Sequence, residues 1–305
     1  MLKFDVFDLN GSVTSFQYPL YADIIFSQDA PAAGLRAVFA VSGKIPGLLS
    51  ADVFDGDILI FRGFIDEQLE YSDKNGCRLE IRARSIEALL LDNEARPQTY
   101  FMPSMPLLME RHFSKYGFDH FIGSQSAAAG RLSITKGMSE WDVLDSFCRN
   151  FLGTCPAVTP EGVIDISGNN RSEDVFISKN CPVISATKKL SRKNLVSDLF
   201  ARTYSAGGYE MHLDSSLAKL NKVKKTRFVN AVDSNGKSVE TVRRLMKKTE
   251  DSFECYELVF HGIVRCRPGD VLTVEGFPNP MTVTGMHYVR NNRGDITRIY
   301  AEVKN

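Results

Sequence analysis

Apolar and polar positions alternate with a period of two through much of the chain, in short runs broken by turn residues, a pattern that predicts antiparallel β structure. Leu2, Phe4 and Val6 predict a first strand over 2–9. Apolar runs at 21–26 and 35–41 predict two more, divided by a loop, Asp29-Ala30-Pro31-Ala32-Ala33-Gly34, and followed by a break at Lys44-Ile45-Pro46-Gly47. The run 57–61 meets Gly63, expected at a bend or bulge. Asp73-Lys74-Asn75-Gly76 supplies a hairpin turn, with Asn75-Gly76 suited to its left-handed positions. After the turn, Leu79, Ile81 and Ala83 alternate with Arg78, Glu80, Arg82 and Arg84, giving one apolar and one charged face. Ser85 is placed to cap a short helix over 86–91 that closes this unit.

The opening phrase returns near the C-terminus. Gly56-Asp57-Ile58-Leu59-Ile60-Phe61-Arg62-Gly63-Phe64 aligns with Gly269-Asp270-Val271-Leu272-Thr273-Val274-Glu275-Gly276-Phe277. The second copy also runs to a turn, Asn291-Asn292-Arg293-Gly294-Asp295, and to an alternating strand with Ile299, Ala301 and Val303 on one face. Two related antiparallel β units are expected, each a barrel.

Between them the period changes. Pro97, Pro103 and Pro106 mark a connection, and Ser104 is placed to cap a helix whose Met105, Leu108, Met109, His112, Phe113 and Tyr116 fall at helical spacing, with Gly117 as its terminator. A second helix starts at Ser139, with Asp142 completing a capping arrangement, an apolar stripe of Trp141, Leu144, Cys148 and Phe151, and Gly153 at its end. A turn at Thr159-Pro160-Glu161-Gly162 leads into a strand over 163–166. Strands are expected again at 183–186, 195–204, 209–213 after a Gly207-Gly208 turn, and 254–264. A helix over 238–248 should turn Val239, Val242 and Leu245 inward and Arg243, Arg244, Lys247 and Lys248 outward. The fold class read from this pattern is α+β, mainly β: two related antiparallel β-barrel domains, 1–98 and 179–305, with a small α/β domain, 99–178, inserted between them.

Composition adds limits. At 43% hydrophobic and 24% charged the chain is ordinary globular material. No apolar run approaches the roughly 18 residues that span a bilayer, and MLKFDVFDLN lacks the basic start and long apolar segment of a secretory signal. Cysteines 77, 148, 155, 181, 255 and 266 form no C-x-x-C pair, which points to free thiols in a reducing compartment. The net charge of zero divides unevenly. Residues 1–178 carry 15 Lys+Arg against 24 Asp+Glu, residues 179–248 carry 16 against 5, and 249–305 carry 6 against 8. Such a division suits a chain whose opposite faces meet different neighbours or copies of itself.

Catalytic patterns are weak. Ala231-Val232-Asp233-Ser234-Asn235-Gly236-Lys237-Ser238 matches a relaxed phosphate-loop spacing, but Ala231 replaces the first glycine and the preceding segment, Lys224 to Val229, is a poor buried strand, so a plain turn is expected. Asp66-Glu67 and Asp55/Asp57 are acids at strand ends, where acids are common without chemistry. His112, His120, His212, His261 and His287 are scattered, and His112 is expected as packed core rather than a metal ligand. No catalytic, cofactor-binding or metal-binding residues are assigned. A nucleic-acid-binding β-barrel is the alternative, opposed by the lack of aromatic residues within the basic run 219–227.

Three motifs in order resemble a known family. Arg62-Gly63-Phe64-Ile65-Asp66 with the hairpin to Leu79-Glu80-Ile81-Arg82-Ala83-Arg84-Ser85 resembles the first domain of contractile-tail baseplate hub proteins, the phage late control protein D family, which is similar to the N-terminal part of type VI secretion spike proteins. The segment 134–153 with 160–166 resembles that family's inserted domain, and Arg267-Pro268-Gly269-Asp270-Val271 the opening of its second barrel. The resemblance implies a non-enzymatic virion structural protein that forms a homotrimer, a pseudo-sixfold ring joining a hexameric tail tube protein to a trimeric spike protein beside other baseplate proteins. It implies assembly in the bacterial cytoplasm into a phage, prophage or other contractile injection particle, with the hub of a non-contractile tail tip as a variant, and no cofactor, small-molecule substrate or membrane span. Lys222, Lys224, Lys225 and Arg227 are the expected interface residues, as the core of the basic run.

Overall fold

The computed structural model describes residues 2–43, 45–74, 76–168, 174–177, 183–203, 208–231, 238–278 and 280–303. Seven strands open the chain: β1 (Leu2–Asp8), β2 (Val13–Phe16), β3 (Tyr21–Ser27), β4 (Ala30–Val41), β5 (Leu48–Asp55), β6 (Ile58–Asp73) and β7 (Gly76–Ser85). In β1 the alternation becomes burial, with Leu2, Phe4 and Val6 fully enclosed and Lys3 and Asp5 facing out. These side chains pack against Phe39, Phe61, Leu79 and Ile81. The loop expected at Asp29 to Gly34 is strand instead, because β4 begins at Ala30 and pairs back on β3 beyond a short turn at Gln28 and Asp29. Gly63 lies inside the long strand β6. A Cβ there would stand 2.1 Å from the Arg84 carbonyl oxygen, so the two backbones approach as only glycine allows. The bulge comes later, between Ile65 and Glu67. Asn75 of the expected turn lies outside the described residues, as does Lys44.

The middle segment builds its own core. It contains α1 (Ala88–Asp92), β8 (Gln98–Phe101), α2 (Met105–Leu108), β9 (His120–Ile122), β10 (Arg131–Ile134), α3 (Glu140–Phe147), β11 (Ala157–Val158) and β12 (Val163–Asp165). A π turn carries α2 on through Phe113, and Gly117 at φ 87 ends it. Another π turn extends α3 to Leu152, and Gly153 at φ 73 ends that one. Ser139 and Asp142 form a reciprocal capping box at the start of α3. One expectation fails here. The Ser85 hydroxyl accepts from Ala33 N instead of capping α1, whose N-cap is Glu87 and whose Leu90 is buried with Phe113, Leu144 and Phe147. Trp141 is only half-buried at the rim, while Val143, Leu144, Phe147 and Cys148 fill the centre.

The last third adds β13 (Asp174–Ile177), β14 (Val183–Leu190), β15 (Asp198–Thr203), β16 (Met211–Asp214), α4 (Ser216–Leu220), β17 (Thr226–Ala231), α5 (Ser238–Asp251), β18 (Glu254–His261), β19 (Val271–Val274), β20 (Met281–Asn291) and β21 (Gly294–Val303). One hydrogen-bonded sheet runs β14-β18-β21-β20-β3-β4-β7-β6-β5-β1-β2, with β19 on β20 and β13 parallel to β19. The two halves form one continuous sheet instead of two separate ones, joined by the pairing of β20 with β3 from Gly285 opposite Ser27 to Arg290 opposite Ala22, and no closed barrel is found among the described residues. Each half still has its own apolar core, the second around Leu258, Phe260, Leu272, Met281 and Ile299.

The two halves repeat. Hairpin β6–β7 pairs Asp73 with Gly76 and slips register between Ile65 and Glu67; hairpin β20–β21 pairs Asn291 with Gly294 and slips between Val283 and Gly285, the same distance from the turn. β4 lies on β7 as β18 lies on β21, and β3 on β4 as β14 on β18. The difference is at the tip: β3 turns directly into β4, whereas β15, β16, β17, α4 and α5 are inserted between β14 and β18. In α5, Val242 and Met246 are buried, while Val239 and Leu245, expected inward, are exposed. That face packs on Val196, Leu199 and Ala201.

Candidate assembly surfaces

The joint between the halves shows what this sheet uses to bind another strand. At its centre Tyr288 is 2% exposed beside the first-half core, opposite Ile24 at 0%. His287 Nε2 donates to Asp23 Oδ1 at 2.9 Å. Burial alone would raise the Asp23 pKa, but the bond and charge of His287 and the bond from Tyr21 hold it below the ordinary value. Arg265 donates through Nε to Asp55 Oδ2 at 2.6 Å, a second polar tie across the halves.

The acidic surplus of the first half is largely matched by arginine on one face of β6 and β7. Arg36 makes a forked contact to Glu80 at 2.8 and 3.1 Å, and Arg82 adds a bond to Glu80 at 2.9 Å and one to Glu67 at 2.8 Å. Arg84 forks to Asp66 and to Asp92. The bond from Arg36 is the main cause that holds the Glu80 carboxyl below its usual pKa. Of the four strand-end acids, Asp66, Glu67 and Asp55 are thus ion-paired. His112 is packed core as expected: Nδ1 donates to the buried Glu140 Oε2 at 2.7 Å, Nε2 accepts from Tyr100 Oη at 3.0 Å, and Lys115 completes the carboxylate at 2.6 Å. Among the described residues no group of three or more His, Cys, Asp or Glu is placed to hold a metal ion. The phosphate-loop spacing at 232–237, the Gly207 turn and Cys181 lie outside the described residues. Cys77, Cys255 and Cys266 are free thiols.

Two strand edges of the large sheet flank the repeated units. β5 pairs with β6 from Ile58 to Phe64, and β7 pairs with it from Gly63 onward. β14 pairs with β18 on one side, and its residues 184–190 are exposed.

The basic run spans the end of α4, the turn after it and the start of β17 in the inserted three-stranded sheet β16-β15-β17. Lys222 takes a left-handed turn conformation after α4, and Lys224 and Arg227 are exposed. Lys225 is half-buried, with its ammonium on the Lys193 carbonyl and its backbone N–H on Ser197 Oγ. The structure also assembles a feature the linear reading missed. Phe200 stacks between His212 at 4.4 Å and Phe228 at 5.4 Å, with Tyr209 edge-on to Phe228 at 5.3 Å. Phe228 is 63% exposed. The rings come from three strands, so no window of sequence contains them together.

No protein-family model matches the chain, and no curated protein sequence matches it. Solved structures do. The tail protein from Neisseria meningitidis MC58 superposes with a TM-score of 0.81 at 14% identity, covering 99% of this chain and 96% of that one. The prophage MuSo2 43 kDa tail protein from Shewanella oneidensis gives 0.78 at 13% identity, covering 99% and 98%. The Escherichia coli c3393 protein, a type VI secretion component with structural similarity to the T4 tail proteins gp27 and gp5, gives 0.58 at 13% identity, covering 94% and 73%. The fold is that of phage tail proteins over nearly the whole chain.

Proposed function

We propose that this chain is a structural baseplate hub of a phage tail or a related contractile particle. In this reading three copies form a ring with six similar units, which joins a hexameric tail tube to a trimeric spike. The observation that carries the reading is the repeat: two four-stranded units with the same strand order, the same pairing register and the same bulge stand side by side in one sheet. A chain that presents one surface twice is what a threefold ring needs to meet a sixfold partner. The tail-protein fold agrees with that use. Segments 1–98 and 179–305 then act as the two ring units, barrel-like in the assembled particle, and 99–178 stands between them. Lys222, Lys224, Lys225 and Arg227 serve as a contact to a neighbouring acidic surface. No bond making is required, and among the described residues no helix is long and apolar enough to cross a membrane.

The test is genetic and structural. Deleting the chain from a producing bacterium should leave tails without a tube-to-spike junction, and antibody labelling of intact particles should mark the tail tip. Intact particles from the deletion strain would overturn the reading. A second reading, binding of single-stranded nucleic acid, is favoured by the aromatic row Phe200, His212 and Phe228. Salt-dependent binding to oligonucleotides, lost in Phe228→Ala, would favour it over the hub.

A further inference from the structure

We propose that the cavity between α5 and β17 is a docking socket for an extended acidic segment of a partner protein. The segment lies as an added strand beside β17, sets an apolar side chain into the cavity and turns a carboxylate to Lys193 and Arg227. The inference gives the acidic partner of the hub reading a chemistry and a place, and rests on that reading only for where the partner is met.

The socket follows from how the inserted unit packs. β17 is a terminal strand of the sheet β16-β15-β17. It pairs in parallel with β15 along its whole length, from Thr226 opposite Asp198 to Ala231 opposite Thr203, and with no other strand among the described residues. Alternation along β17 puts Phe228 in the aromatic row and Arg227 and Val229 on the opposite face, beside α5. α5 covers that face with Val242 and Met246, both buried with Leu199 and Ala201. Leu245 lies one position round the helix and is 39% exposed, so the seam between helix and edge strand is left unfilled. The result is a cavity of about 290 Å³ with Val196, Leu199, Val229 and Leu245 as apolar walls and Lys193 and Arg227 beside them.

Three features identify the occupant. The first is charge. Lys193 and Arg227 are exposed and neither is ion-paired among the described residues, whereas Lys219 is answered by Asp214 and His212 by Asp198. Lys225 also lines the cavity, with its ammonium on the Lys193 carbonyl, and no acidic side chain lines it. Surplus cations around an apolar floor select a carboxylate that carries an apolar neighbour. The second is the strand edge. Unpaired backbone donors and acceptors along β17 are a template for an added strand, a recurrent mode of peptide recognition. Side chains of that strand alternate, so those opposite Arg227 and Val229 share the socket and the one between them lies over Phe228, which is 63% exposed. The recognised pattern is therefore an acid, a spacer and an aliphatic residue. The third is size and lining. A volume of about 290 Å³ stands at the small end of the range for enclosed ligands, about 300–1,000 Å³, and suits one or two side chains. No aromatic ring lines it; the rings on which bases would stack stand on the opposite face of the sheet.

The test probes an array of acetylated pentapeptides with the purified full chain. Valine is fixed at the second and fourth positions, and the first, third and fifth are varied over all residue types, so that either strand direction is sampled. Peptides of the form Glu-Val-Leu-Val-Glu should be bound, and exchange of both glutamates for lysine should weaken binding about ten-fold or more. Leu245→Trp plugs the socket with every charge in place and should abolish binding. Lys193→Glu with Arg227→Glu should reverse the preference to basic peptides, a gain that a misfolded variant cannot give. No acidic consensus in the wild type, or equal binding by Leu245→Trp, would overturn the socket. Binding of oligothymidylate, or self-association in sedimentation, that Leu245→Trp abolishes while no acidic peptide is bound would give the cavity to nucleic acid or to a second copy and overturn it as well. Acidic-peptide binding together with intact particles from the deletion strain would keep the socket and overturn the hub.

Discussion

His287 Nε2 lies 2.9 Å from Asp23 Oδ1, across the strand pair that makes one sheet of the two halves. The two residues are far apart in the chain and meet diagonally across the pair, since His287 lies opposite Ile25 and Asp23 opposite Val289. A backbone bond from Gln28 N to the Thr284 carbonyl extends the same joint.

His287→Ala should therefore cost about 1 kcal/mol, by leaving a half-buried carboxylate without its main donor. The acid limb tests the same contact. The folded-state pKa of Asp23 is lowered, so its contribution is present above the unfolded value near 3.8 and is lost as pH falls through the folded one. Urea unfolding as a function of pH should show that loss in the wild type and not in Asp23→Asn. Identical acid limbs would remove the joint from the energetics.

Glu87 gives the opposite sign. Its Oε2 atom is buried with no hydrogen-bond partner, and burial pushes the carboxyl up to about 7. The folded state then holds its proton more tightly than the unfolded state, so stability falls as pH rises from about 4.5 to 7 and stays low above that. Glu87→Gln should raise stability at pH 8 by roughly 3 kcal/mol at most and flatten this part of the profile. A variant less stable than wild type at pH 8 would show that the carboxylate is satisfied.

Gly63→Ala tests the closest backbone approach in the first half. The added Cβ would meet the Arg84 backbone at 2.1 Å, which no rotamer relieves, so β6 and β7 must part. A loss of about 3 kcal/mol or more is expected. Gly34→Ala, with nothing within 4 Å of its Cβ, should change stability by less than about 1 kcal/mol. Equal effects in chemical denaturation would contradict the packing.

In the middle segment, Phe147→Ala removes a ring with 0% exposure and should cost about 3–5 kcal/mol. Trp141→Ala, at the rim, should cost clearly less. Hydrogen exchange should place both losses within the middle core and leave the protection of β6 and β7 unchanged. A larger cost at Trp141 than at Phe147 would reverse the assignment of centre and rim.

Much of this was legible in the residues. Alternation found β1, β7 and β21, because each has one face in a core. The capping box at Ser139 and Asp142 and the left-handed glycines 117 and 153 are local chemistry, and local chemistry is written locally. The phrase at Gly56 and Gly269 exposed the repeat, although the second copy then breaks at Gly276, where β6 continues straight through Gly63. The pairing of β3 with β20 was not legible, since strand partners distant in sequence leave no mark in either strand alone. Nor was the aromatic row, assembled from Phe200, His212 and Phe228 on three strands. The inward face of α5 is shifted by one residue from the expected one, with Met246 buried in the core beside Val242 and Leu245 exposed.

The basic run carries a prediction of its own. Exchanging Lys222, Lys224, Lys225 and Arg227 for glutamate should leave the large sheet folded and slow incorporation into particles. Each exposed pair contributes about 0–1 kcal/mol, so the effect lies in partner choice more than in stability. Normal incorporation, followed by particle yield from a complemented strain, would reduce the run to a solvated loop.

Whether three chains close into a ring is decided by sedimentation of the purified protein over a wide concentration range, alone and with its spike. A discrete species of three times 34.1 kDa that stops growing is expected. Monomers at every concentration with and without spike, a discrete dimer, or a mass that climbs without limit would contradict it.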